Sequence, residues 1–231
     1  MLFDLRSRGR RTTVKIIYGS LALLMVVGLV GLGVGTGSSG GILNAGGTGS
    51  GGGTSISNTA LTSALKAVKK NPSAANWMSL MKARYSDAGG GSNYDSSTNT
   101  YSKSGKKQLQ DAIDAWTQYL KVATTSEKSG NSGLQNAFFA ADVYQALQQW
   151  ANEANTWDLA VQASAAGAAA YKPYLCLAYS AYAAKQTGKA ALAAAKAVAL
   201  TPKADQAAVK ATLKSASTST TTAEEGLTSD C

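Results

Sequence analysis

The stretch from Ala178 to Pro202 restricts the fold of this chain more than any other segment. Almost half of its residues are alanine, and tyrosine and leucine fall among them at helical spacing. Alanine has the highest intrinsic helix propensity, and small side chains let two helices approach closely where they cross. A proline after such a run ends one helix and opens the next. The segment therefore predicts a pair of packed helices in place of an unstructured alanine-biased tract.

Helical periodicity extends over residues 57–217, which are predicted to form one all-α domain. The predicted helices span residues 57–71, 74–87, 106–124, 133–149, 152–166, 172–186, 188–200 and 204–217. Ser86 to Gly105 is polar and glycine-rich and is predicted to be a long loop. The composition of residues 218–231 predicts a disordered tail. The expected fold is thus an α-solenoid of about eight helices.

One unit of this pattern resembles a tetratricopeptide repeat, whose 34-residue unit is a helix pair. The positions that carry the resemblance are Tyr174, Leu177, Ala178, Ala190, Ala197 and Pro202. Tyr182 lies one position from the family's tyrosine, and Lys185 stands where the family usually has a glycine between its helices, with Gly188 three residues later. The resemblance implies a half-pair, three pairs and a closing helix, and it is looser outside this unit.

The resemblance also implies a binding surface, because ligands of this family lie in a concave groove lined by the first helix of each pair. Carried over to this chain, the candidate groove residues are Met78, Lys82, Tyr85, Leu175, Tyr179 and Tyr182. Tyrosines beside lysines suit the capture of a peptide, since aromatic side chains dominate binding energy at many interfaces.

A membrane anchor is predicted ahead of the helical domain. Ile16 to Val34 contains no charged residue, and a helix of about 20 apolar residues matches the bilayer core. The transmembrane helix is predicted at residues 16–35. The basic residues within 1–15 predict that the N-terminus lies in the cytoplasm and that the chain after the helix lies outside. A signal peptide cleaved around Gly35 to Ser38 is the alternative.

A glycine- and serine-rich linker is predicted at residues 36–56. It lacks the Gly-Lys-Ser/Thr ending of a phosphate-binding loop. Gly31 and Gly35 are spaced like the small residues that pack membrane helices together, so a homodimer remains an alternative to a single anchored chain.

Composition argues against catalysis, metals and cofactors. The chain has no histidine, which removes the common general base near neutral pH and imidazole metal ligands. Two cysteines cannot complete a structural zinc site. Cys176 is expected to be a small packed residue with a free thiol. The alternatives are a disulfide between Cys176 and Cys231, or a disulfide from Cys231 to another chain. The expectation is a protein that is not an enzyme and needs no cofactor.

The formal net charge of +9 does not indicate nucleic-acid binding, because arginine is concentrated in the first 11 residues and only Arg84 lies beyond them. The leading hypothesis is a membrane-anchored scaffold that binds a protein or peptide on the extracytoplasmic side. Its layout is similar to bacterial membrane proteins that assist exported chains or assemble envelope complexes. The alternative is a cell-envelope module whose scattered lysines, including Lys103, Lys106 and Lys107, bind an anionic wall polymer.

Overall fold

Helices dominate the residues described by the computed structural model, which are 53–164 and 171–231. The helices are α1 (Gly53–Lys70), α2 (Ala74–Ala88), α3 (Lys103–Val122), α4 (Gly130–Ala146), α5 (Trp150–Ser164), α6 (Tyr171–Ala183), α7 (Thr187–Leu200), α8 (Gln206–Ala216) and α9 (Thr220–Asp230). The only strands in these ranges are β1 (Tyr94–Asp95) and β2 (Thr100–Tyr101). The predicted all-α class is confirmed, and each predicted helix has a counterpart within about one helical turn at its ends.

Helices that follow one another along the chain pack against one another. The largest contacts join α2 with α3, α4 with α5, and α6 with α7. Helix α5 also packs extensively on α6, and α1 packs on α2. Contacts between neighbouring pairs bury the apolar faces that a single pair leaves open, which makes the arrangement solenoid-like.

The C-terminus differs from the sequence prediction, because residues 220–230 form helix α9 and not a disordered tail. Ser219 caps this helix by accepting a 3.2 Å hydrogen bond from the Thr222 amide. Ala223 and Leu227 are buried, and α9 packs on both α6 and α8. Helices α8 and α9 thus form a further pair where a single closing helix was predicted.

Alanine supplies more than half of the buried apolar residues of the described chain. In α7, Ala190, Ala193 and Ala197 are buried, so these alanines lie at helix contacts as the sequence pattern predicted. Two clusters form the core, one built mainly from α1 to α4 and the other from α4 to α9. Helix α4 contributes to both, with Ala137 in one cluster and Val143 in the other.

The two connections within the pairs α4–α5 and α6–α7 have the same backbone geometry. Gln148 and Lys185 adopt left-handed φ values of 55° and 59°. The amide that follows each of them bonds back to a carbonyl five residues earlier, from Gln149 to Tyr144 and from Gln186 to Ala181. This is the Schellman ending of a helix, in which glycine is usual at the left-handed position. Lys185 therefore takes the conformation that the resembling family assigns to glycine.

The segment between α2 and α3 is an ordered hairpin and not an irregular loop. β1 and β2 pair antiparallel, with Tyr94 opposite Tyr101. Asn93 ties the hairpin to its surroundings, since its Nδ2 donates to the Asp87 carbonyl at 2.8 Å and its backbone carbonyl accepts from the Ser102 amide at 2.9 Å. We call residues 94–101 the hairpin.

The predicted N-terminal basic segment, the membrane helix at 16–35 and most of the linker lie outside the described residues. Residues 53–56 of the predicted linker already belong to α1. Within residues 53–164 and 171–231, none of the helices combines the length and apolarity needed to cross a bilayer.

Candidate functional site

A cavity of about 930 Å³ lies among the hairpin, the C-terminal end of α4 and helix α9. Its volume is within the range of sites that bind small molecules or short segments. The cavity takes residues from parts of the chain that are far apart in sequence, from Tyr85 in α2 to Ser229 in α9. We call it the groove.

Aromatic side chains line one side of the groove. Tyr94 and Tyr101 of the hairpin lie with ring centroids 4.8 Å apart, and Tyr85 of α2 lines the groove with them. Burial raises the pKa of Tyr85 to about 12, and the negative charge of Asp142 adds to the effect. The Tyr85 phenol is therefore neutral at physiological pH. The three tyrosines offer ring faces and hydroxyl groups to a ligand. Trp150, at the start of α5, adds a fourth aromatic side chain.

Carboxylates dominate the charged lining of the groove. Asp142 projects from α4, and Glu224 and Glu225 from α9, whereas Lys106 is the only cation among the lining residues that the structure describes. Burial raises the pKa of Asp142 from its ordinary 3.8 to about 6. The groove wall is acidic although the chain as a whole is basic.

Helix α9, which carries two of these carboxylates, is attached covalently to α6. Cys176 in α6 and Cys231 form a disulfide with their Cα atoms 5.7 Å apart. The Tyr179 hydroxyl donates a 3.0 Å hydrogen bond to Asp230. Gly226 lies against the Tyr179 ring, and a Cβ at this position would come within 2.7 Å of it. Of the alternatives that the sequence left open for the cysteines, the intramolecular bridge is the one present.

A second carboxyl group is buried near Asp142. Glu153, in the first turn of α5, is fully buried. Its Oε1 accepts a 3.1 Å hydrogen bond from Trp157 Nε1, whereas its Oε2 has no hydrogen-bond partner among the described residues. Burial, and to a smaller extent the charge of Asp142, raises its pKa to about 8, although the hydrogen bond from Trp157 acts in the opposite direction. Glu153 is thus protonated near neutral pH, which is how a buried carboxyl group avoids carrying an unpaired charge.

The six residues predicted for a groove are in different environments. Tyr85 lines the groove described above. Met78 and Leu175 are buried core residues. The remaining three are Lys82, Tyr179 and Tyr182.

Lys82 is half-buried with its Nζ 4.7 Å from the centre of the Phe139 ring, and desolvation lowers its pKa. Tyr182 packs at the edge of the second core cluster. Tyr179 is 2% exposed, because α9 covers it. The register of the resembling family would leave Tyr179 open, and the chain's own last helix fills that position.

Sequence analysis missed Tyr94, Tyr101, Asp142, Glu224 and Glu225 as residues that share one site. The hairpin residues lay in a segment read as a loop, and the two glutamates in a segment read as disordered. A weak signal for α9 exists, since Ala223, Leu227 and Cys231 recur every four residues and share one helix face. No local pattern indicates that this face would pack on α6.

Fold and site together define an all-α protein of stacked helix pairs with an acidic, aromatic groove. No protein-family description matches the chain, and neither a curated protein nor a solved structure matches it. Its function is therefore inferred from the geometry of the groove and from the chain's charge pattern.

Proposed function

We propose that this chain is a membrane-anchored, tetratricopeptide-like scaffold that binds a segment of another protein on the extracytoplasmic side of a bacterial membrane. The observation that carries the proposal is the groove, which holds four aromatic side chains beside polar groups that can fix the orientation of a ligand. Binding sites in proteins combine apolar lining with a few placed polar groups in this way. Assistance to exported proteins or assembly of envelope complexes would each use such a groove.

Two independent features support the proposed location. The uncharged run after a basic start supports an anchor with its N-terminus in the cytoplasm. The bridge between Cys176 and Cys231 supports an oxidising compartment for the helical domain, because disulfides persist mainly outside the cytoplasm.

An anionic wall polymer is a less well supported ligand. Of the three lysines assigned to that alternative, Lys107 already pairs with Asp111 at 3.0 Å. Lys106 shares the groove with Asp142, Glu224 and Glu225, which would repel a polyanion. Lys103 is exposed and has the free surface that an anionic polymer would need. Binding of such a polymer is therefore kept as an outcome of the tests.

Site-specific photo-cross-linking in intact membranes tests the proposal. A photoreactive phenylalanine derivative at Thr100 or Thr228, both exposed at the groove, should give the same cross-linked protein partner. The control position is Leu192, which is 77% exposed on α7 and does not line the groove. Equal cross-linking from Leu192, or no product from either groove position, would contradict the proposal.

Topology is tested separately with protease added to sealed cells. The proposal expects removal of the chain beyond Gly35 and protection of the residues before it. Complete protection of the helical domain would place that domain in the cytoplasm and reject the orientation.

A further inference from the structure

The charge of the groove is opposite in sign to the charge of the molecule. The chain has a formal net charge of +9, but three carboxylates and one ammonium group line the groove. An acidic surface attracts ligands that carry positive charge. The groove is therefore complementary to a cationic ligand.

Two acidic residues elsewhere in the described chain form ion pairs, whereas the groove carboxylates form none. Asp111 pairs with Arg84 and Lys107, and Asp158 pairs with Lys189 at 2.8 Å. Asp142, Glu224 and Glu225 form no ion pair within residues 53–164 and 171–231. Asp142 is only partly exposed, so its ionised form is desolvated without a compensating cation. A bound cation would supply that compensation.

The aromatic lining is suited to the same kind of ligand. Tyrosine ring faces attract ammonium and guanidinium groups within about 6 Å of the ring centre, and more strongly where water is excluded. Tyr85, Tyr94 and Tyr101 come together at the groove, and Asp142 lies close enough to influence the pKa of Tyr85 and of Tyr101. Rings and carboxylates thus occur side by side on one surface.

From this complementarity we infer that the groove binds a lysine- or arginine-containing segment of the partner protein. The cationic group lies between the tyrosine rings and the carboxylates of Asp142, Glu224 and Glu225. The inference rests on the proposed function, since it names the chemistry of the segment that the scaffold takes.

The test measures binding of short fluorescent Gly/Ser peptides to the full chain in detergent by fluorescence anisotropy. One peptide carries alternating lysines, a second has glutamine in their place, and a third has glutamate. The lysine peptide should bind about tenfold more tightly than the glutamine peptide, which corresponds to ~1.4 kcal/mol. The glutamate peptide should not bind, and about 0.5 M NaCl should weaken the lysine peptide severalfold by screening.

Substitutions then locate the binding. The double variant Glu224→Gln/Glu225→Gln should weaken the lysine peptide by about five- to tenfold, since each surface ion pair contributes less than ~1 kcal/mol. Asp205→Asn is the matched control, because Asp205 is exposed at the start of α8 and does not line the groove. Thermal melting by circular dichroism verifies that both variants remain folded.

The outcomes separate this inference from the proposed function. Equal or tighter binding of the glutamine peptide, or an equal loss from Asp205→Asn, would overturn the preference for cations while leaving a peptide-binding scaffold intact. Preference for the glutamate peptide would overturn it in favour of an anionic ligand. Failure of all three peptides also overturns it, and the cross-linking at Thr100 and Thr228 remains the separate test of partner binding.

Discussion

The hairpin and helix α9 line the same groove but are held by different kinds of interaction. The hairpin is fixed by hydrogen bonds between residues close in sequence, centred on Asn93. Helix α9 is fixed by contacts to α6, which lies about fifty residues earlier and includes the disulfide partner Cys176. One wall of the groove therefore depends on local chain geometry, and the other depends on a long-range covalent link.

Removal of the disulfide should have the largest effect on the free energy of unfolding, and its local effect should fall on the α9 wall. The bridge spans a sequence separation of 55 residues. Loop-closure entropy for a loop of this size predicts a loss of about 4 kcal/mol in the free energy of unfolding for Cys231→Ser. Denaturant unfolding measures the loss, and hydrogen exchange should show α9 amides losing protection while the hairpin amides keep theirs.

Cys176→Ser and the double serine variant serve as controls for Cys231→Ser. Both should match the single variant, because each removes the same bridge. Unchanged protection of α9 in the reduced protein would mean that packing on α6 is sufficient to hold this wall.

The carboxyl group of Glu153 should make the stability of the helical domain fall as pH rises. Its pKa is raised from 4.5 to about 8 in the folded chain, so the folded state binds more protons between these values. Stability is then greatest below about pH 4.5 and falls until about pH 8, by an amount on the order of a few kcal/mol. Glu153→Gln should remove most of this slope in melts recorded across the range.

Asp205→Asn is a suitable comparison for the pH series, because Asp205 is exposed. Asp142 has a pKa raised to about 6, so a smaller slope in the same direction should survive in Glu153→Gln below that pH. Stability that stays constant between pH 5 and 8 would show that Glu153 is already ionised in the folded protein over this range.

Gly226→Ala should test how closely α9 approaches α6. The added methyl group would come within 2.7 Å of the Tyr179 ring, so either the ring or helix α9 must shift. Overpacking of this kind costs about 1–3 kcal/mol. In Gly188→Ala the new Cβ meets nothing within 4 Å, and the variant should instead gain up to about 1 kcal/mol from helix propensity.

A double-mutant cycle sharpens the test of Gly226. With Tyr179→Ala already present, the obstacle is gone and Gly226→Ala should be neutral or stabilising. Additive losses in the cycle would place the strain at another contact of α9.

Asn93→Ala should have the smallest effect and should be confined to the hairpin. The side chain donates to the Asp87 carbonyl and accepts from the Ser104 hydroxyl, so its loss removes hydrogen bonds worth about 1–2 kcal/mol together. Hydrogen exchange should increase around residues 94–101 without change in α9. Ser97→Ala, at the exposed tip, should shift stability by less than about 0.5 kcal/mol. Loss of protection in both walls would mean that they are energetically coupled.

The contrast between the walls also explains which features the sequence could predict. Helices α1 to α8 follow from apolar and alanine spacing together with signals such as Pro72 and Pro202, all of which act within a few residues. The buried alanines Ala190 and Ala197 were recognised for the same reason.

Helix α9 could not be predicted in this way, because its position depends on Cys176 and Tyr179 in a distant helix. The same omission misplaced Tyr179, which the register of the resembling family leaves exposed and α9 buries. Tyr85 lines the groove described here, although it was predicted for the concave groove of the resembling family. The acidic residues beside it were not predicted, since their proximity arises only when α9 folds back. Short-range patterns thus predicted the helices, and long-range contacts determined the site.

The disulfide between Cys176 and Cys231 has a mechanical consequence as well as a thermodynamic one. It closes residues 176–231 into a ring, so tension applied at Cys231 passes through the bridge to Cys176 and leaves the 55-residue segment unstretched. At ~3.4 Å per extended residue, about 190 Å of contour length is shielded from extension. A ligand that pulled on the chain at Cys231 could stretch only the residues before Cys176, and α7, α8 and α9 would remain tied to the bridge.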